Sequence, residues 1–134
     1  MSEQAESWLK EFIARHGAVA GTVHAVEGQI LAMRAAVNIP PKVVEVTRSI
    51  PLGKGMAGLA WERDAPVHTC NLRSDDTGDV RPGAKAVDAS AAVALPVHAA
   101  GAVRGVVGIA WMGERTITEG ELAALGAEAE SAPL

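Results

Sequence analysis

Apolar positions along this chain change their spacing several times, and each change marks an element. Trp8, Leu9, Phe12, Ile13 and His16 recur at helical intervals, which predicts an amphipathic helix over residues 3–16 stopped by Gly17. Two apolar runs follow, residues 18–26 and 29–37, joined at Glu27-Gly28. That is a hairpin pattern, because glycine accepts the positive φ a tight turn requires. In the second run Leu31, Met33, Ala35 and Val37 are expected on one face and Arg34 on the other. Pro40-Pro41 permits a short helix beginning there but not a strand. Residues 56–63 read as a second short helix with Met56, Leu59 and Ala60 turned inward, and residues 66–72 as a strand. The stretch 73–89 is polar and rich in Asp, Gly and Pro, so it is expected to be a long loop, a kind that is usually functional or mobile in compact domains. Residues 92–98 and 104–111 are apolar on both faces, as central strands covered on each side would be. Thr118-x-x-Glu121 forms a capping box before a last helix reaching about Ser131, with Ile117 and Leu122 placed as a hydrophobic staple.

Length and composition narrow the class. With 134 residues the chain is expected to be one domain, 1–134, large enough for a core without disulfide or metal. Alanine supplies 26 residues, while Trp8, Phe12, Trp61 and Trp111 are the only aromatics. A net charge of −4 without a basic run argues against nucleic acid, whose phosphates need a cationic stripe. No apolar stretch approaches the roughly 20 residues that cross a bilayer, and the acidic start is unlike a signal peptide. The single cysteine suits a reducing compartment, so cytoplasm is the expectation.

The element order and several local motifs resemble the GAF family. Residues 50–60, Ile-Pro-Leu-Gly-Lys-Gly-Met-Ala-Gly-Leu-Ala, are similar to that family's approach to its middle helix. Ala65-Pro66-Val67, Ala94-Leu95-Pro96-Val97 and Gly105-Val106-Val107-Gly108-Ile109 resemble its later strands. The resemblance spans about residues 5–130 and implies an α+β, PAS-related fold: a central antiparallel sheet of about five to six strands. The N- and C-terminal helices would cover one face, the short helices and the loop the other. It also implies a sensory or regulatory module that binds a small molecule. The free methionine-(R)-sulfoxide reductases share these landmarks. Aligned on them, the positions of their redox cysteines become Ala57 and Val87, and those of their substrate-binding acids become Ala92, Gly108 and Ala110. A reductase needs an attacking thiolate and usually a resolving thiol, and this chain has one thiol elsewhere.

Other chemistry is sparser. Gly53-x-Gly55-x-x-Gly58 spells a dinucleotide fingerprint, but Pro51 and Pro66 interrupt the strand–helix–strand crossover it requires. Cys70 and His68 share a strand face about two strand residues (roughly 7 Å) apart, too far for a direct activating bond. A buried small hydrophobe is the plainer reading of Cys70. His68, Cys70 and His98 do not by spacing alone make a zinc site, so no metal is expected, and the cofactor is unknown. Haem ligation by His68 or His98 is disfavoured by the scarcity of aromatic residues. Within the loop, Asp75 and Asp79 offer sites for an amine and Arg81 and Lys85 for an anion, so a polar or zwitterionic ligand fits there. A solvated loop whose charges pair with each other is the bland alternative. Met56, Trp61 and Cys70 complete the candidate ligand-binding set. A competing expectation is a ligand-free interaction module that homodimerises through its terminal helices, with Trp8, Leu9, Phe12, Leu122 and Leu125 at the interface.

Overall fold

A six-stranded sheet organises the chain, and every neighbouring pair in it is antiparallel. The computed structural model describes residues 1–69, 91–113 and 115–134. Its elements in chain order are α1 (Glu3–Arg15), β1 (Ala20–Glu27), β2 (Ile30–Val37), α2 (Pro41–Thr47), β3 (Ser49–Pro51), α3 (Gly55–Arg63), β4 (Val67–Thr69), β5 (Ala91–Ala99), β6 (Ala102–Trp111) and α4 (Glu119–Ala129). The strand order is β3-β2-β1-β6-β5-β4, so β1 and β6 lie at the centre. Nothing in this sheet is parallel, and β3 and β4, which flank α3, stand at opposite edges. That excludes the dinucleotide crossover suggested by the glycine spacing.

The sheet is covered on both faces, which explains why β5 and β6 read as apolar throughout. Val93, Leu95, Val97, Val107, Ile109 and Trp111 join Leu9, Phe12 and Ile13 of α1 and Leu125 and Ala129 of α4 in the main core. The alternate residues, Ala92, Ala94, Val106 and Ala110, meet α2 and α3 instead. Leu9 and Phe12 are wholly buried and Leu125 nearly so. The reading that placed these three on a dimer face is therefore corrected: their apolar area is already spent on the chain's own sheet. Trp8 and Leu122 are partly buried against the same core, with Trp8 stacked on Phe12 at 4.8 Å and its indole N–H donating to Ser131 Oγ.

Local signals set the ends of the elements. Ser2 Oγ accepts from the Ala5 amide to cap α1, and Pro41 opens α2, where its missing N–H costs nothing. Thr118 Oγ1 accepts from the Glu121 amide, but the Glu121 carboxylate turns to Arg115, at 3.2 Å, so half of the expected capping box is replaced by an ion pair. The strand β3 was not anticipated, because Pro51 seemed to forbid it. It sits at the sheet edge, where a missing donor is tolerated. Pro96 is accommodated similarly, since β4 pairs only with Ala92–Ala94 of β5 and ends before it.

One strand departs from simple alternation. Along β2 the pairing moves from Ala35 opposite Val23 to Met33 opposite His24, leaving Arg34 as an extra residue. This bulge reverses the facing of the strand, so Leu31 packs on the α3 side while Ala35 and Val37 join the α1 core. The expectation that all four alternate residues share one face is thereby corrected.

Candidate functional site

The space on the α2–α3 side of the sheet is incompletely filled, and the reason is side-chain size. The residues β1, β5 and β6 present there include Ala20, Thr22, Ala92, Ala94, Gly108 and Ala110, none larger than threonine. Above them lie Ile39, Val43 and Thr47 around α2, and Met56 and Ala57 on α3. Small floor residues under two short helices leave a cavity of about 140 Å³. The abundance of alanine here leaves a void on this face of the sheet.

The glycine-rich turn sets the wall of this cavity. Gly53 and Gly55 both have positive φ, +77° and +67°, which swings the chain from β3 into α3. A Cβ on Gly58 would lie 2.7 Å from the Pro51 carbonyl oxygen, so α3 can approach β3 only because that side chain is absent. Met56, one residue into the helix, lines the cavity. Trp61, also proposed for the pocket, packs instead in the cluster with Leu31, Ile50, Ala60 and Val67. Cys70, Asp75, Asp79, Arg81 and Lys85 lie outside the described residues, as does the expected long loop at 73–89.

Polar groups around the cavity are few. Thr47 Oγ1 is committed to the Val43 carbonyl, at 2.6 Å, and the exposed Lys54 stands at the rim. His24 is the exception, and inspection of the sequence passed over it. It lies in a run read only as a strand, and nothing local distinguishes it from an outward-facing histidine. In the structure it is 1% exposed and forms part of the cavity wall. Its Nε2 is 2.8 Å from the carbonyl oxygen of Thr47, one of the helix-end carbonyls α2 cannot satisfy itself. Its Nδ1 is buried and meets no hydrogen-bond partner among the described residues. Burial pushes the ring's pKa down, against a smaller upward pull from the Thr47 carbonyl, so the imidazole is neutral at pH 7.

The remaining histidines are structural or exposed. His98 lies between Asp64 and Glu130, and bonds to both carboxylates, Asp64 first, raise its pKa. His16 and Arg15 both bond Glu128 on α4. Burial alone would raise the Glu128 carboxyl, but those two partners outweigh it and hold the group below its usual range. His68 is exposed on β4. Among the described residues no three histidine, aspartate or glutamate side chains are arranged to hold a metal. Nor is any described helix long and apolar enough to cross a membrane.

An antiparallel sheet with terminal helices on one face and a small-residue cavity under short helices on the other defines an α+β domain of one recognisable class. A family model for the GAF domain matches residues 5–132, and the chain belongs to that family. Solved structures with the same fold include the GAF domain of an Acinetobacter phosphoenolpyruvate-protein phosphotransferase, at TM-score 0.74 and 17% identity, covering 98% of this chain and 82% of that one. The free methionine-R-sulfoxide reductase of Neisseria meningitidis, solved with its substrate, matches at TM-score 0.72 and 16% identity, covering 96% and 76%. The second GAF domain of DevS from Mycobacterium smegmatis matches at TM-score 0.67 and 22% identity, covering 95% and 86%. No curated protein matches.

Proposed function

We propose that this chain is a sensory or regulatory domain that binds a small molecule in the cavity between the sheet and the helices α2 and α3. The observation that carries the reading is the void itself. Close-packed cores leave few spaces larger than a water molecule, and this one lies over a floor of Ala20, Thr22, Ala92, Ala94, Gly108 and Ala110, too small to fill it. An apolar lining with a few convergent polar groups is the usual form of a ligand pocket. The described lining suits a molecule whose bulk is apolar. Any recognition of a charged group would fall to Lys54 at the rim or to Asp75, Asp79, Arg81 and Lys85.

A reductase reading is weaker for a specific reason. Ala57, Ala92, Gly108 and Ala110, where the resemblance puts a redox cysteine and the substrate-binding acids, all line the cavity. None of them carries a thiol or a carboxylate, so the chemistry lacks its groups while the space remains. An interface between two copies would have to use residues other than Leu9, Phe12 and Leu125.

Native mass spectrometry of freshly purified protein, paired with a thermal-shift screen of metabolites, tests the proposal. Binding at a hundred times Kd should stabilise the fold by about 2.7 kcal/mol. The gain should disappear in Gly108→Val, which fills the floor. A screen without hits, or hits unaffected by that substitution, would remove the cavity as the site.

A further inference from the structure

His98 ties the helices on the two faces of the sheet together around the end of β5. Its ring lies between Asp64, the residue that ends α3 on one face, and Glu130, the residue that ends α4 on the other. Glu130 holds it twice: Oε1 accepts from the His98 backbone N–H and Oε2 meets Nδ1, both at 2.7 Å. Asp64 meets only Nε2. Carboxylates accept and do not donate, so both ring contacts are hydrogen bonds only while the imidazole carries two protons. A neutral ring has one N–H to give, and its other nitrogen turns a lone pair toward an anion.

We propose that His98 is a proton-operated clasp between α3 and α4 that, on losing its proton, lets go of Asp64 and keeps Glu130. The asymmetry of the contacts decides which arm opens. The backbone N–H of His98 holds the Glu130 carboxylate against Nδ1 whatever the charge of the ring, so the remaining proton is best placed there. Nε2 is then bare, and the Asp64 carboxylate, 58% exposed, turns into water. That loosens the end of α3. Asp64 stands there at φ +51°, in the left-handed region, and its amide and that of Ala65 close the helix on Trp61 and Ala60. The first turn of the same helix, at Met56 and Ala57, walls the cavity. The clasp needs no ligand in that cavity.

Asp64 and then Glu130 raise the pKa of the ring, against a smaller pull downward from burial. The clasp is therefore closed on the acid side of a midpoint above about 6.5 and open on the alkaline side. Among the described residues, the other charged groups on the elements around it include Glu62 and Arg63 on α3, Arg104 on β6 and Glu128 on α4, and none of these contributes to the shift.

The full chain, labelled with heavy nitrogen and titrated by NMR across the His98 midpoint, reports the two ring nitrogens separately. Above the midpoint the proton is expected on Nδ1 and the lone pair on Nε2. Asp64→Asn removes the charge and tolerates the same backbone angle, so it should fold and weaken proton binding by His98 roughly 2- to 5-fold, the worth of an exposed pair. Amide hydrogen exchange reads the helix. Protection of the Asp64 and Ala65 amides should fall by a similar factor as the ring deprotonates in wild type and stay level over that range in the variant. The His98 amide, held by Glu130, should keep its protection in both. A neutral ring with its proton on Nε2, or a midpoint that Asp64→Asn leaves in place, overturns the clasp. Protection at the end of α3 that ignores the midpoint overturns it equally.

Discussion

Two glycines on adjacent central strands should respond to the same substitution with opposite signs. Gly108 on β6 faces the cavity, and a Cβ built there lies 3.4 Å from Thr22 Oγ1 and 3.7 Å from the Val93 carbonyl oxygen, ordinary contact distances. Its φ is not positive, so alanine fits its backbone without strain. Replacing a glycine inside a strand should gain roughly 0.5–1 kcal/mol from reduced freedom of the unfolded chain. Burying the new methyl adds about 0.8 kcal/mol. Gly108→Ala is therefore expected to stabilise by about 1–2 kcal/mol, a rise in Tm on the order of 5 °C for a domain of this size. Gly21 on β1 faces the other way. There a Cβ would sit 2.7 Å from the Gly108 carbonyl oxygen and 3.1 Å from Ile13 Cδ1, and the carbonyl belongs to the sheet ladder and cannot retreat. Gly21→Ala should cost about 1–3 kcal/mol, the usual range for overpacking. Urea melts followed by far-ultraviolet circular dichroism measure both, with unchanged m-values confirming that native stability moved. Destabilisation by Gly108→Ala would mean that the space beside it is occupied, and the cavity argument would fail.

Further predictions concern titration and packing. His98, raised by Asp64 and Glu130, should stabilise the fold fully below about pH 6.5 and lose that contribution as pH rises through its folded value. The Tm gap between wild type and His98→Gln should then be widest in mild acid, and a gap that ignores pH would dismiss the ion pairs. His24, lowered by burial, acts in the opposite sense: its contribution is complete above about pH 6.5 and falls as acid drives protonation of the unfolded chain, by at most about 1.4 kcal/mol per pH unit. An NMR titration should find the His24 midpoint below the free-imidazole value and the His98 midpoint above it; the reverse order would contradict both assignments. Phe12→Ala should cost about 3–5 kcal/mol in a urea melt because the ring is wholly buried in the main core. A loss under 1 kcal/mol, with a change in mass at working concentration, would return Phe12 to an intermolecular role.

How much could be read beforehand depended on whether the deciding contact was local. The helices, the hairpin at Gly28 and the cap at Thr118 announce themselves because neighbours within a few residues fix them. The turn that aims Met56 at the cavity is likewise local, spelled by Gly53 and Gly55. His24 was invisible because its significance comes from Thr47, a residue 23 positions away brought over it by α2. The small cavity floor was equally hidden: alanines spaced by two read as weak strand residues until β1, β5 and β6 lie side by side. Leu9 and Phe12 misled in another way, because an apolar helix stripe looks the same whether it covers its own sheet or a partner's.

The extra residue in β2 separates two properties that usually travel together. Arg34 sits between the pairs Ala35–Val23 and Met33–His24, its carbonyl accepts from the Ser2 amide, and its guanidinium reaches Glu27. Excising it would rejoin Met33 and Ala35 as consecutive rungs opposite His24 and Val23, so every other side chain would keep its side. What would go is the tether holding the start of α1 to the strand. A one-residue gap at this position between related chains would thus signal a looser leading helix, not a rearranged sheet.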